Sequence, residues 1–149
     1  MNIFVLNKNP TLIAKHYCDI HLRKMLVEHV QLLCNAMPEA AAPYKRTHYN
    51  HPCSKWARAS AQNWAWLSWL TQRMGIEYYA RFNKYHKSSL VLGVLLRTFD
   101  PLVHLPDTGG VTPWPQVMPD EFKVEQDPVA AYRRYYAAKL RSFRARGLM

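Results

Sequence analysis

The segment Leu22-Arg23-Lys24-Met25-Leu26-Val27-Glu28-His29-Val30-Gln31-Leu32-Leu33 decides the fold class. Leu22, Met25, Leu26, Val30 and Leu33 recur every three or four positions, the period of a helix with one buried face. Upstream, Asn9-Pro10 sets an N-cap residue before a proline suited to the first helical position. One helix is therefore expected from Pro10 to about Asn35. Before it, residues 3–6 are wholly apolar and read as one strand or an extended lead-in.

Downstream, residues 36–53 hold Pro38, Pro43 and Pro52 and read as a loop. A second helix is expected from about Cys53 to Met74, carrying Trp56, Trp64, Trp66 and Trp69 and stopping at Gly75. A third is expected over Ile76–His86, and a fourth from Ser88 or Ser89 to near Phe99. Residues 100–127, rich in Pro and Gly, form a long irregular segment of the kind that is more often functional than idle. Asp127-Pro128 opens a last helix ending around Arg146. The expectation is one all-α domain over residues 1–149, with about five helices. With 49% hydrophobic residues, a chain of this length can enclose one core.

The net charge of +10 is unevenly spread. Residues 1–99 hold 13 Lys/Arg against 4 Asp/Glu, residues 100–131 one against six, and residues 132–149 six against none. Two basic regions around an acidic segment point to a polyanion-binding face. Five Trp and nine Tyr beside those cations suit nucleic acid, because bases stack on rings while Lys and Arg neutralise phosphates. The chain opens without a basic stretch and a long apolar run, and no 18-residue apolar stretch exists. A cytoplasmic protein that does not enter membranes is expected. The three cysteines, Cys18, Cys34 and Cys53, are read as reduced thiols, since an odd count without a leader argues against a disulfide framework.

Several clusters carry chemistry. His21, Lys24, Glu28 and Gln31 share one face of the first helix, where a carboxylate, an imidazole and an amine could do acid–base work. On spacing alone, an ordinary Lys24–Glu28 ion pair on a solvated face is the favoured explanation. Lys45, Arg46, His48, Asn50 and His51 precede a helix start, where backbone amides hold anions. Two histidines three apart, with no third ligand at a diagnostic spacing, do not define a metal site. Lys84 and Lys87 lie in a basic–aromatic run, and Arg133, Arg134, Tyr135, Tyr136 and Lys139 form another. All of these are candidates for contact with double-stranded DNA.

Three segments resemble the phage endonuclease V type of pyrimidine-dimer DNA glycosylase/AP lyase. Asp19-Ile20-His21-Leu22 followed by Glu28 is similar to the family's first helix, in which a His precedes the catalytic Glu by seven residues. Asn50-His51-Pro52 before the Trp-rich helix takes the place of its central Gly-His segment. Arg134-Tyr135-Tyr136-Ala137-Ala138-Lys139 resembles its C-terminal Lys-Tyr-Tyr-Gly-Lys segment, which lies against DNA.

The resemblance implies an all-α enzyme that bends DNA and flips a nucleotide out of the stack. A free N-terminal amine attacks the sugar C1′ to form a Schiff base, and a Glu assists. Glu28 would be that carboxylate and His21 its support, with Lys24 or the chain's own α-amine as nucleophile. No cofactor or metal is implied, and a monomer is expected. The family removes Met1 ahead of a small second residue, whereas Asn2 leaves Met1 in place, so the sequence leaves the position of the amine open. The segment before His21 is longer than in the family. Val27 and Gln31 stand where Arg would, leaving Arg23 and Lys24 nearby, and the Trp and Gly of the C-terminal motif are absent. Two other functions fit the same residues. One is transfer of an amine or amino acid to an activated 5-hydroxymethyluracil in DNA without strand cleavage. The other is DNA or nucleotide binding without catalysis.

Overall fold

The computed structural model describes residues 1–149, and every regular element in it is helical. There are seven α-helices rather than five: α1 (Pro10–His16), α2 (Asp19–Cys34), α3 (Pro52–Ala59), α4 (Ala61–Phe82), α5 (Lys87–Thr98), α6 (Pro101–His104) and α7 (Pro128–Ala145). Short 3-10 turns lie at Glu39–Ala41 and Asp120–Phe122. No helix is long and apolar enough to cross a membrane.

The expected first helix is two. Asn9 caps α1 as its side chain accepts the Thr11 N–H, but the chain turns extended at Tyr17. Remote bonds hold the break. Arg81 of α4 donates to the Tyr17 carbonyl at 2.7 Å and to Asp19 at 3.0 Å, and the Cys18 N–H donates to the Tyr136 hydroxyl at 2.8 Å. These satisfy backbone groups that a helix end leaves orphaned. The second expected helix also breaks, at Ser60. Its side chain caps α4 by accepting the Asn63 N–H, while the Ala61 N–H donates to the Pro106 carbonyl.

Gly75 does not stop α4, and the separate helix expected over Ile76–His86 does not exist. The helix runs on to Phe82 and ends where Asn83 adopts left-handed dihedrals. At Gly75 the packing of α5 explains the missing side chain, since an added Cβ would lie 2.5 Å from Ser89 Oγ. α5 begins earlier than expected: His86 caps it, with Nδ1 accepting the Ser88 N–H, so Ser88 and Ser89, expected at the cap, lie inside the helix, while Asp127 caps α7.

The core forms around α2 and α4. Leu22, Met25, Leu26, Val30 and Leu33 are all buried, with Trp64, Leu67, Leu70 and Met74 of α4. Residues 3–6 are extended but join no strand, and all four side chains are buried. The 105–127 segment is braced against α3 and α4. Asn63 bonds Thr112 through both its amide oxygen and nitrogen, Trp56 donates to the Thr112 carbonyl, and Trp114 packs on Trp56 and Trp66.

Gly75→Ala is expected to destabilise the fold by about 1–3 kcal/mol, the usual result of forcing volume into a packed contact. Combining it with Ser89→Ala should recover part of that loss in urea unfolding. Strictly additive losses would show that α5 does not press on Gly75.

Candidate functional site

Glu28 is on the second turn from the middle of α2, one helical turn beyond Lys24. One of its oxygens, Oε2, is buried and has no hydrogen-bond partner. It lies 3.6 Å from the Met1 α-amine, and Oε1 lies 3.8 Å from Lys24 Nζ. The three groups differ in exposure: the Met1 and Glu28 side chains are 2% and 13% exposed, against 65% for Lys24. Both separations exceed the roughly 2.7–2.9 Å of a charge-assisted hydrogen bond, so the carboxylate has a spare lone pair facing each amine.

The chain start is held there by its second residue. Asn2 Oδ1 accepts the Ile3 N–H at 2.8 Å and lies 3.1 Å from the Tyr132 hydroxyl of α7. Asn2 Nδ2 donates to the Val117 carbonyl at 2.8 Å. On the far side, His51 caps α3 by accepting the Cys53 N–H. Burial lowers the His51 pKa, helped by the α-amine and His48 and opposed by Glu28, which puts all of these charges in one electrostatic neighbourhood. A cavity of about 620 Å³ opens beside α2, lined by Val27, Gln31, Tyr44, Lys45, Arg46 and Thr47. Its size is that of a small-molecule site, roughly 300–1,000 Å³.

His21 sits two turns before Glu28 in an aromatic box. Its ring centroid is 4.7 Å from Phe4, 5.1 Å from Tyr136 and 5.2 Å from Phe143. Burial, with Lys139 and Lys24 nearby, takes its pKa down to about 4, so it is neutral at physiological pH. His29, which sequence reasoning passed over, is fully buried behind Glu28, and neither ring nitrogen has a hydrogen-bond partner. Burial drives its pKa to about 3, only slightly offset by the Asn2 backbone.

No family model, curated protein or solved structure matches this chain.

The residues expected to contact DNA fall into separate groups. Lys45, His48 and Asn50 are exposed near the site, and His48 adopts left-handed dihedrals. Arg46 is half-buried, stacked over Tyr49 at 4.3 Å and 3.5 Å from Glu39. Lys139 lies over the Tyr135 ring at 4.8 Å, and Arg134 is exposed. Arg133 is exposed but spends its Nε–H on the Leu6 carbonyl at 2.8 Å. Tyr136 is buried, with its hydroxyl on Cys18, so its ring belongs to the core of the α2–α7 contact. Arg23, Lys84 and Lys87 are exposed away from Glu28, with Arg23 over the Phe82 ring at 4.9 Å. All three cysteines are free thiols, and nowhere do three or more His, Cys, Asp or Glu side chains gather as a metal would need. Met1 and Asn2 are the residues whose place in the site the sequence did not fix.

The two buried histidines bind protons more weakly in the fold than in the open chain, whose ordinary value is 6.5. The unfolded state therefore takes up more protons below that value. Stability should be full above pH 6.5 and fall as the pH drops toward about 4, at about 1.4 kcal/mol per pH unit for each histidine. His29→Leu should remove one proton's share of that slope in urea unfolding without loss of stability at neutral pH, since it deletes unsatisfied buried groups. An unchanged slope would mean that His29 does not titrate in this way.

Proposed function

We propose that this protein is a DNA-acting enzyme that flips and processes a damaged or modified pyrimidine nucleotide. It works as an N-glycosylase with associated AP-lyase chemistry. The observation that carries the reading is the buried, hydrogen-bond-free Oε2 of Glu28 held 3.6 Å from the α-amine of Met1. A nucleophile and a carboxylate set side by side, in a partly buried position, are what Schiff-base chemistry at a sugar carbon requires. The resemblance of the His21–Glu28 helix and of the Arg134–Lys139 segment to the phage glycosylases points the same way.

The α-amine attacks through its lone pair, so it must first be neutral, and Glu28 accepts the proton it sheds. Attack at C1′ forms a C–N bond as the glycosidic bond breaks and the base leaves with its electron pair. Ring opening gives the protonated Schiff base, whose positive charge the Glu28 carboxylate stabilises. Glu28, having passed its first proton to the departing base, takes the C2′ proton as the C3′–O bond to the 3′ phosphate breaks, and water then hydrolyses the Schiff base to release the amine. In this scheme Met1, retained ahead of Asn2, supplies the amine that the resembled family takes from its second residue. Lys24, more exposed and 3.8 Å from the other oxygen, is the competing nucleophile. His21, neutral in its box, supports the helix face rather than donating a charge. Lys45, His48, Asn50, Arg134 and Lys139 would track the phosphates of double-stranded DNA. We place the enzyme in the cytoplasm as a monomer.

Borohydride trapping on DNA carrying an abasic site should give one covalent adduct, mapped by mass spectrometry to the α-amine of Met1. An adduct on Lys24 would transfer the nucleophile's role to that residue. Glu28→Gln should lower the trapping rate roughly 100-fold or more with DNA affinity retained. Absence of any adduct, with tight DNA binding, would overturn the lyase reading. It would favour amine transfer to an activated 5-hydroxymethyluracil, seen as added mass on an intact strand, or binding alone.

Affinity for DNA should fall steeply with salt, by about 0.9 in log–log slope per phosphate neutralised. Arg134→Ala should reduce that slope by about 1. A slope indifferent to both Arg134 and Lys45 would place the DNA on another face.

A further inference from the structure

We propose that Asn2 is the positioning residue of the site. Its side chain locks the first peptide so that the Met1 α-amine stands at Glu28. The inference rests on the reading of that amine as the nucleophile, and its geometry can be tested without it.

The first residue of a chain normally frays unless something ties it down. Here the tie is the one polar side chain in an otherwise apolar buried run. Ile3, Phe4, Val5 and Leu6 are buried hydrophobics, whereas Asn2 is buried at 7% exposure with both ends of its amide hydrogen-bonded. Its oxygen bonds the N–H of the next residue, closing a small ring on its own backbone, and its nitrogen reaches the Val117 carbonyl. Those two bonds also fix which way the amide faces, since one end must accept and the other donate. The Tyr132 hydroxyl, whose single proton is shared with the Pro115 carbonyl at 2.6 Å, approaches the same oxygen. Cys53 Sγ lies 3.8 Å from it, and burial holds that thiol protonated, with a pKa up to about 12, so it can only donate.

A residue tied by its own backbone, by the 105–127 segment, by α3 and by α7 has no freedom left at its Cα. The Met1 Cα is one peptide away, about 3.8 Å. The Met1 side chain is buried as well, which leaves the amine as the free end pointing to Glu28. Asn2 serves the amine in a second way: it is too large for methionine removal, so the amine that is held is the amine of Met1.

The variants must respect that second role, because a small residue at position 2 would expose a different amine. Asn2→Leu keeps the volume and Met1 and deletes every hydrogen bond. We expect it to stay folded by circular dichroism and to bind abasic-site DNA with little change in Kd. Its single-turnover trapping rate at saturating DNA should fall roughly tenfold to 100-fold, the effect of a displacement on the order of 1 Å. In the absence of DNA, reductive methylation of its α-amine, measured against Lys24 by mass spectrometry, should speed up severalfold as the amine leaves Glu28. A purely structural role would lower thermal stability and DNA affinity and leave the methylation ratio at its parental value. That outcome overturns the proposal. If the parent protein forms no adduct at all, the nucleophile reading fails and the methylation ratio alone decides whether Asn2 positions the amine. Should Asn2→Leu not fold, Tyr132→Phe withdraws one partner from Asn2 and is judged by the same two readouts, with parental values overturning the proposal.

Discussion

The fold depends on the burial of its own first residues. Residues 2–6 are threaded, extended and without strand partners, among α2, α3 and α7. An extended segment in a core leaves backbone groups to satisfy, and here side chains from distant helices do much of that work. Arg133 of α7 donates to the Leu6 carbonyl and Tyr17 to the Phe4 carbonyl. The Phe4 ring meets Tyr17, His21, Tyr132 and Tyr136 within 6.4 Å. Removing this segment would strip α2 and α7 of part of their apolar cover, leaving His21 against Tyr136 and Phe143, and Phe122 against Tyr135.

That arrangement has an electrostatic cost. Bringing an ammonium and a carboxylate out of water is unfavourable unless they pair closely and their remaining hydrogen-bonding capacity is met. At 3.6 Å, with Oε2 otherwise bare, the Met1–Glu28 pair is only partly compensated. A fully buried imidazole with no partner adds to the burden one residue further along the helix. Folds commonly retain such unsatisfied groups where chemistry uses them. An apolar residue at position 28 alone would not lower that cost, because it would leave the Met1 ammonium without its partner.

Much of this could be read from the sequence, and what could not has a common cause. The apolar period of α2 and the Asn9 and Asp127 caps are local signals, and each is found where the local pattern puts it. The breaks at Tyr17 and Ser60 are set by Arg81, Tyr136 and Pro106, partners too distant in sequence for any local pattern to report. Gly75 carries the local sign of a helix end but is spent on the close approach of Ser89. The same division holds at the site. Lys24 and Glu28 pair at helical spacing, which the sequence shows. The α-amine reaches Glu28 from the start of the chain, and Asn2 behind it is held by Val117 and Tyr132, 115 and 130 positions away, which it does not.

The span of those contacts also sets when the site can exist. Asn2 is synthesised 115 and 130 residues ahead of its partners Val117 and Tyr132. At about 5–20 residues per second, the chain start waits roughly 6–26 s for them. During that interval α1 to α5 can pack on one another, α1 and α2 against α4, while the apolar residues 3–6 have no α7 to cover them. The nascent chain therefore carries a temporarily uncovered hydrophobic segment until α7 closes over it and over Asn2. A chain truncated before Tyr132 would retain Glu28 and the amine but not the bonds that clasp Asn2.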